Sequence, residues 1–359
     1  MTTTDKKTIL ILGASYGSLL GMKLVLAGHD VTLVCLPAEA ALINEEGARV
    51  RMPVRGRDGL VTLDSRSAPG TLSAAGPEDV DPAAFDLIGL AMQEPQYAHP
   101  AIRALMGKVA ESAVPVMSIM NMPPLPFLAR LPGVDTTMLR GAYRDARVWD
   151  AFEPARVTLA SPDPQAFRPP EDPMNVLQVS LPTNFKVAAF DDPAHTALLR
   201  QLEADIDAVR HEEEGEMLEL PVKLRVFDSL YVPLAKWAML LTGNYRCVTP
   251  EGPRAICDAV HSDPAASQAI YAWVKEVCVA LGAAPGDLVP FEKYANAAKG
   301  LAKPSSAARA LYAGAPAIER VDRIVQALAR TQGRSHPVLD ETVALVDAQL
   351  ARNATDHAA

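Results

Sequence analysis

Residues 11–21, ILGASYGSLLG, set glycines and small hydroxyl residues between an apolar run and a helical one. A turn of this kind, opening a helix directly after a strand, is a phosphate-binding device. Glycine permits the tight turn and lets backbone approach the anion, and the helix N-terminus offers free N–H groups with partial positive charge. Gly13 can make the turn, and Gly17 can pack helix against strand. The full G-x-G-x-x-G is absent, because Ser15 and Ser18 stand where further glycines are expected. Their hydroxyls, with the backbone around Tyr16, are candidates to bond phosphate oxygens. The competing reading is a plain strand–helix turn that holds no nucleotide. The position at the first strand, with AGHDVTLV following, favours a dinucleotide.

The strand after that helix should end in the residue that reads the adenosine ribose, an acid for NAD or a base for the 2′-phosphate of NADP. It ends Val34-Cys35-Leu36-Pro37, which puts Leu36 at that place and neither charge. Arg51, Arg55 and Arg57 are close enough in sequence to swing in, or are solvated surface charges. NAD and NADP both stay open. Other chemistries find little support. His29, His99, His195, His211, His261 and His336 have no acid at catalytic spacing. The four cysteines form no C-x-x-C pair, and no metal-ligand spacing is present. There is no nucleophile elbow, no NTPase phosphate loop and no paired-carboxylate motif.

These residues need a scaffold. TILILG (8–13) is a continuous apolar strand of the kind buried on both faces. YGSLLGMKLVLA (16–27) is an apolar helix ended by Gly28, and VTLVCL (31–36) is a second strand, together a crossover unit of about 30 residues. Further strands are expected at 85–92, 114–121, 155–160 and 184–190, with helices at 98–111 and 194–209. The proline-rich stretch 162–182 is expected to be irregular. Beyond the charge run HEEEGE (211–216) helical periods dominate, at 219–242, 264–282, 305–312, 316–332 and 337–352. HSDP (261–264) starts one of them, with Ser262 or Asp263 as cap and Pro264 in the first turn. The expectation is an α/β Rossmann-like dinucleotide-binding domain over 1–210 and an all-α domain over 211–359.

With 359 residues the chain is too long for one typical core. A net charge of −9 argues against nucleic acid as a partner. No apolar run reaches the roughly 18–20 residues of a membrane span. The polar start MTTTDKK runs into the first strand without a signal-peptide pattern, so a cytoplasmic location is expected.

In their order and spacing these segments resemble the ketopantoate reductase (2-dehydropantoate 2-reductase) family, a branch of the 6-phosphogluconate-dehydrogenase-like dehydrogenases. The carriers are the glycine turn with SLLGMKLVLAGHDVTLV, then INEEGARVRMPV, FDLIGLAMQEPQ, and VPVMSIMN ending at Asn121. LLTG (240–243) and KPSSAARALYAGAPAIERVDRIVQALARTQGRSHPVL (303–339) follow, so the resemblance spans most of the chain. It implies a helical domain for substrate binding and dimerisation, NAD or NADP as cofactor, and a homodimer with no nucleic-acid or membrane partner. The implied reaction is hydride transfer between the nicotinamide and a small keto or hydroxy acid or related carbonyl.

The resemblance also implies roles residue by residue. Met92 and Gln93 lie in the loop over the cofactor, where Ala91-Met92-Gln93 replaces the family's lysine. Asn121 falls on an asparagine that would orient the nicotinamide amide or the substrate; the alternative is a strand-end cap. The family's active-site stripe, a general-acid lysine and two asparagines at i, i+4 and i+8, falls on Asp228, Val232 and Lys236 when the Leu-Thr-Gly segment is the anchor, whereas Lys-Leu-x-Val as anchor puts Lys223 in the lysine's place. Lys236, among Leu234, Trp237 and Met239, comes first, since burial lowers a lysine's pKa toward the working pH. Either lysine can instead be a snorkelling surface residue. Ser305 and Ser306 match the family's serine pair and would bind a carboxylate, or are ordinary N-caps. Asn244 lines the substrate side or caps its helix. The family's substrate-side glutamate falls at Ala317 or Ile318, with Glu319 the nearest acid. These departures point away from ketopantoate itself, and Tyr231 and Trp237 hint at a bulkier substrate. Two other readings keep the same fold: a nucleotide-binding sensor or non-redox enzyme, and an opine-type dehydrogenase that condenses a keto acid with an amine.

Overall fold

The computed structural model describes residues 5–356. The chain forms two compact units: one takes the residues up to 92, 96–127 and 148–228, the other 93–95, 128–147 and 229 onward.

The first unit carries fourteen strands: β1 (Thr8–Leu12), β2 (Asp30–Val34), β3 (Arg49–Pro53), β4 (Leu60–Asp64), β5 (Leu72–Ala75), β6 (Leu87–Leu90), β7 (Val116–Ile119), β8 (Val157–Ser161), β9 (Gln165–Phe167), β10 (Val176–Leu181), β11 (Phe185–Ala188), β12 (Arg210–Glu213), β13 (Glu216–Glu219) and β14 (Leu224–Phe227). Eight of them form one sheet in the order β14-β11-β8-β7-β6-β1-β2-β5. All pairings from β5 through to β8 are parallel, β11 runs antiparallel to β8, and β14 runs parallel to β11. Read from β5 to β8, this is the doubly wound order whose direction reverses beside the first strand. Loops leaving β1 and β6 therefore emerge side by side, where such sheets bind ligands. Ile9 to Leu12 are fully buried, as the unbroken apolar run requires of a central parallel strand. Helices α1 (Tyr16–Leu26), α2 (Pro37–Glu46), α3 (Pro100–Ser112) and α5 (Pro193–Ala208), with the single turn α4 (Leu125–Leu128), follow the strands.

A second sheet, β4-β3-β10-β9, is an addition that the sequence pattern did not announce. Two of its strands lie inside the proline-rich stretch 162–182, which is therefore ordered as β9 and β10. The charge run at 211–216 forms most of the β12–β13 hairpin.

The helix expected over 219–242 is replaced by several elements. Val222 has φ +61°, a sharp turn, and Leu224–Phe227 then joins the large sheet as β14. Pro233 donates no N–H and opens a short 3₁₀ turn at Pro233–Ala235. The chain continues through α6 (Lys236–Met239), a wide π turn at Leu240–Asn244 and a 3₁₀ turn at Tyr245–Cys247. The second unit is not wholly helical as expected, because β15 (Val248–Thr249) and β16 (Gly252–Pro253) pair as a short antiparallel ladder; its longer elements are the helices α7 (Ile256–His261), α8 (Pro264–Ala280), α9 (Phe291–Ala298), α10 (Ser306–Tyr312), α11 (Val321–Thr331) and α12 (Pro337–Asp356). Asp263 is the cap that starts α8, accepting the N–H of Ala266 at 2.9 Å. Ile324, Val325 and Leu328 on α11 are buried, as are Val274 and Val277 on α8. Among the described residues no helix is long and apolar enough to cross a membrane.

Candidate functional site

In the first unit the loop after β1 is shaped by Gly13. Its φ is +104°, and its N–H donates to the Val34 carbonyl at 2.9 Å. A Cβ there would lie 2.9 Å from the Ala91 carbonyl oxygen and 2.7 Å from Met92 Cγ, so only glycine fits. Ala91 N–H in turn donates to the Leu12 carbonyl at 2.8 Å, which presses the loops after β1 and β6 together. Gly17 lets α1 pack closely on β1, since a Cβ there would stand 2.9 Å from Ile11 Cγ2. Ser18 is buried, and its hydroxyl donates to the Ala14 carbonyl at 2.6 Å, so its proton is used inside the loop. Ser15 differs. It precedes α1 without a side-chain capping bond, and the first turn of α1 contains no acid. Ser15 and Tyr16 are half-buried beside a positive helix end that no carboxylate of that turn opposes. Leu36 ends the loop after β2 with 72% of its surface exposed, and Asn121, half-buried, follows β7. Since β1, β2, β6 and β7 run parallel, the residues after them share one edge of the sheet.

That edge holds a pair which local sequence did not reveal. Arg168, just after β9, donates from Nη2 to the Ala14 carbonyl at 3.1 Å and also to the carboxylate of Glu39 in the first turn of α2. Burial pushes the Glu39 carboxyl up, against the pull of Arg168. The ribose-reading place of the motif falls on Leu36, and no spacing rule links position 39 to 168.

Lys223 is also in the first unit. Its buried ammonium is held by Asp207 at 2.9 Å and Glu219 at 3.0 Å. Close by, Lys23 is buried in α1 and donates to the Pro221 carbonyl at 3.0 Å. Burial, helped by the charge of Lys223, brings Lys23 down to about 7.

In the second unit Lys236 opens α6 and is half-buried. Asn244 closes the π turn, and its carbonyl accepts the Ser305 hydroxyl at 2.7 Å. Ser305 also takes the Ala308 N–H at 3.1 Å, which makes it the cap of α10, while Ser306 beside it is exposed. Glu319 is buried and accepts the backbone N–H of Glu94 at 3.4 Å. Glu94 follows Gln93 in the short segment 93–95 of this unit. Its two carboxyl oxygens accept the Arg144 N–H at 3.0 and 3.1 Å. Burial first, and then the charge of Glu319, raise Glu94 to about 7. Tyr143, buried next to the two glutamates, is kept a neutral phenol by that burial. A carboxyl that exchanges its proton near neutrality is acid–base material, and only its partner's distance in sequence hid it. No cluster suited to a metal ion exists among the described residues.

No protein-family model and no curated protein sequence matches the chain. Solved structures do match in fold. The 2-dehydropantoate 2-reductase from Methylococcus capsulatus aligns with a TM-score of 0.63 at 14% identity, covering 96% of this chain and 97% of that one. A D-mandelate dehydrogenase solved with NADH gives 0.58 at 13%, covering 96% and 99%. A dimeric ketopantoate reductase from Staphylococcus aureus gives 0.59 at 12%, covering 96% and 99%. The chain thus has the ketopantoate reductase fold, a Rossmann-like domain followed by a helical one, as the motif order implies.

Proposed function

We propose that the chain is an NAD(P)-dependent oxidoreductase of the ketopantoate reductase kind, acting on a small keto or hydroxy acid or related carbonyl other than ketopantoate. The observation that carries this reading is Gly13, pressed onto the Ala91 carbonyl at the switch point of a doubly wound sheet. The residues there fit a dinucleotide. The cradle has no room for a Cβ, and the first turn of α1 is free of acids. Fold likeness to an NADH-bound dehydrogenase and to ketopantoate reductases supports the same conclusion.

When bound, the nicotinamide supplies or accepts the hydride. The chain's own residues do the rest. Backbone N–H groups at Ser15, Tyr16 and Gly17, with the dipole of α1, take the pyrophosphate. Ser18 and Gly13 hold that loop in shape, and Leu36, Met92 and Gln93 flank the cofactor. Asn121 orients the amide or the substrate. Lys236 would give the proton to the substrate's carbonyl oxygen. We prefer it to Lys223, whose ammonium is already engaged by two carboxylates. Asn244, Ser306 and Glu319 serve the substrate, with Ser305 fixing the Asn244 backbone. The first unit would act as the cofactor domain and the second as the substrate and dimerisation domain of a cytoplasmic homodimer, the main boundary falling after 228 and not after 210; a dimeric solved protein of this fold supports the assembly.

Fluorescence titration with NADH and NADPH tests this, followed by a scan of 2-keto acids for cofactor oxidation with and without an added amino acid. Tight binding and amine-independent oxidation are expected. Binding without any turnover would favour a sensor, and amine dependence an opine-type dehydrogenase.

A further inference from the structure

We infer that Arg168, steered by Glu39, is the residue that recognises the 2′-phosphate of NADPH. The inference rests on the oxidoreductase reading and names its cofactor. A Rossmann sheet reads the adenosine ribose just beyond its second strand, and there the sequence offers only Leu36, exposed and uncharged. The charge arrives from elsewhere in the same unit. Arg168 leaves the second sheet after β9 and lays Nη2 between the Ala14 carbonyl of the glycine loop and the Glu39 carboxylate.

Exposure decides which member of this pair a ligand meets. The Glu39 side chain is 7% exposed, whereas that of Arg168 is 34% exposed. A carboxylate that selects NAD must offer its oxygens to the ribose hydroxyls, and Glu39 is enclosed behind the guanidinium. Nη2 spends its protons on Ala14 and Glu39, while Nη1 and Nε have no hydrogen-bond partner among the described residues. What remains is a fixed guanidinium with two donor nitrogens uncommitted, beside the loop proposed to hold the pyrophosphate. Such a fork suits a phosphate's oxygens. Glu39 then acts through Arg168 as a positioning residue, trading some net charge for a single side-chain orientation.

The experiment measures dissociation constants for NADPH, NADH and 2′,5′-ADP with wild type, Arg168→Gln, Arg168→Lys and Glu39→Gln. Wild type should bind NADPH at least about tenfold more tightly than NADH, the scale of a charge-assisted bond. Arg168→Gln should bring the ratio close to one by weakening NADPH and 2′,5′-ADP, with NADH little changed. Arg168→Lys should retain part of the preference and cover the case in which the glutamine variant does not fold. Glu39→Gln should keep preference for NADPH, since the guanidinium remains. Equal affinities or an NADH preference in wild type would overturn the inference and leave the oxidoreductase reading intact. So would equal weakening of both cofactors in folded Arg168 variants, the mark of a purely structural contact. Failure of wild type to bind either dinucleotide would instead remove the oxidoreductase reading beneath it.

Discussion

Gly13 and Ala91 lie so close that a methyl group on Gly13 would stand 2.9 Å from the Ala91 carbonyl oxygen, with Met92 Cγ nearer still. This contact joins the loop after β1 to the loop after β6 at the reversal of strand order. Gly13→Ala must relieve both the clash and a φ of +104°. We expect a loss of about 1–3 kcal/mol in stability and much weaker dinucleotide binding. Thermal melts with and without cofactor measure the two effects separately: the unliganded midpoint falls, and the cofactor-induced rise shrinks further.

Lys236→Ala should slow the chemical step roughly 10²–10⁴-fold, the range for a lost general acid, and leave cofactor affinity near that of wild type. Lys223→Ala should chiefly lower the melting temperature, because it leaves Asp207 and Glu219 facing each other without their shared cation. Single-turnover absorbance traces for both variants check the assignment. A larger rate loss in the Lys223 variant would reverse it.

Glu94 predicts a specific pH dependence. Its folded value of about 7 exceeds the ordinary 4.5, so the folded protein keeps a proton there that the unfolded chain releases. Stability from this group is therefore lost as pH rises from about 4.5 to 7, by at most about 3 kcal/mol. Glu94→Gln cannot ionise and should show a smaller decline than wild type over that window. Denaturant midpoints at pH 5, 6 and 7.5 are the measurement.

Lys23 has the opposite slope. Its folded value of about 7 lies below the ordinary 10.5, so the unfolded chain binds the extra proton between them. Stability rises with pH through that interval, and Lys23→Met should be more stable than wild type at pH 7 and lose the alkaline gain. Melting curves from pH 7 to 10 for both proteins test this.

Much of the architecture was legible because its signals are local. ILIL (9–12) is uniformly apolar since that part of β1 is buried on both faces, and Gly28 ends α1 where β2 must begin. Legibility failed where tertiary structure overrode local pattern. LRVF fits an apolar helical period but serves as edge strand β14, following the positive-φ turn at Val222. QAF and VLQVSL were hidden among prolines, although the prolines only flank them. The site divides in the same way. Gly13 and Gly17 carry constraints readable over five residues. Arg168 meets Glu39 across 129 positions, and Glu94 meets Glu319 across 225, distances over which no spacing rule operates.

The central claim is that the Gly13 loop binds a pyridine dinucleotide for hydride transfer. Its most direct measurement is equilibrium titration of wild type and Gly13→Ala with NADPH and NADH, followed by oxidation of the bound cofactor on adding 2-keto acids. Saturable binding to wild type, loss of binding in the variant, and keto-acid-dependent oxidation in wild type alone are the predicted results. Wild type that leaves the fluorescence of both dinucleotides unchanged at millimolar concentration would contradict the claim.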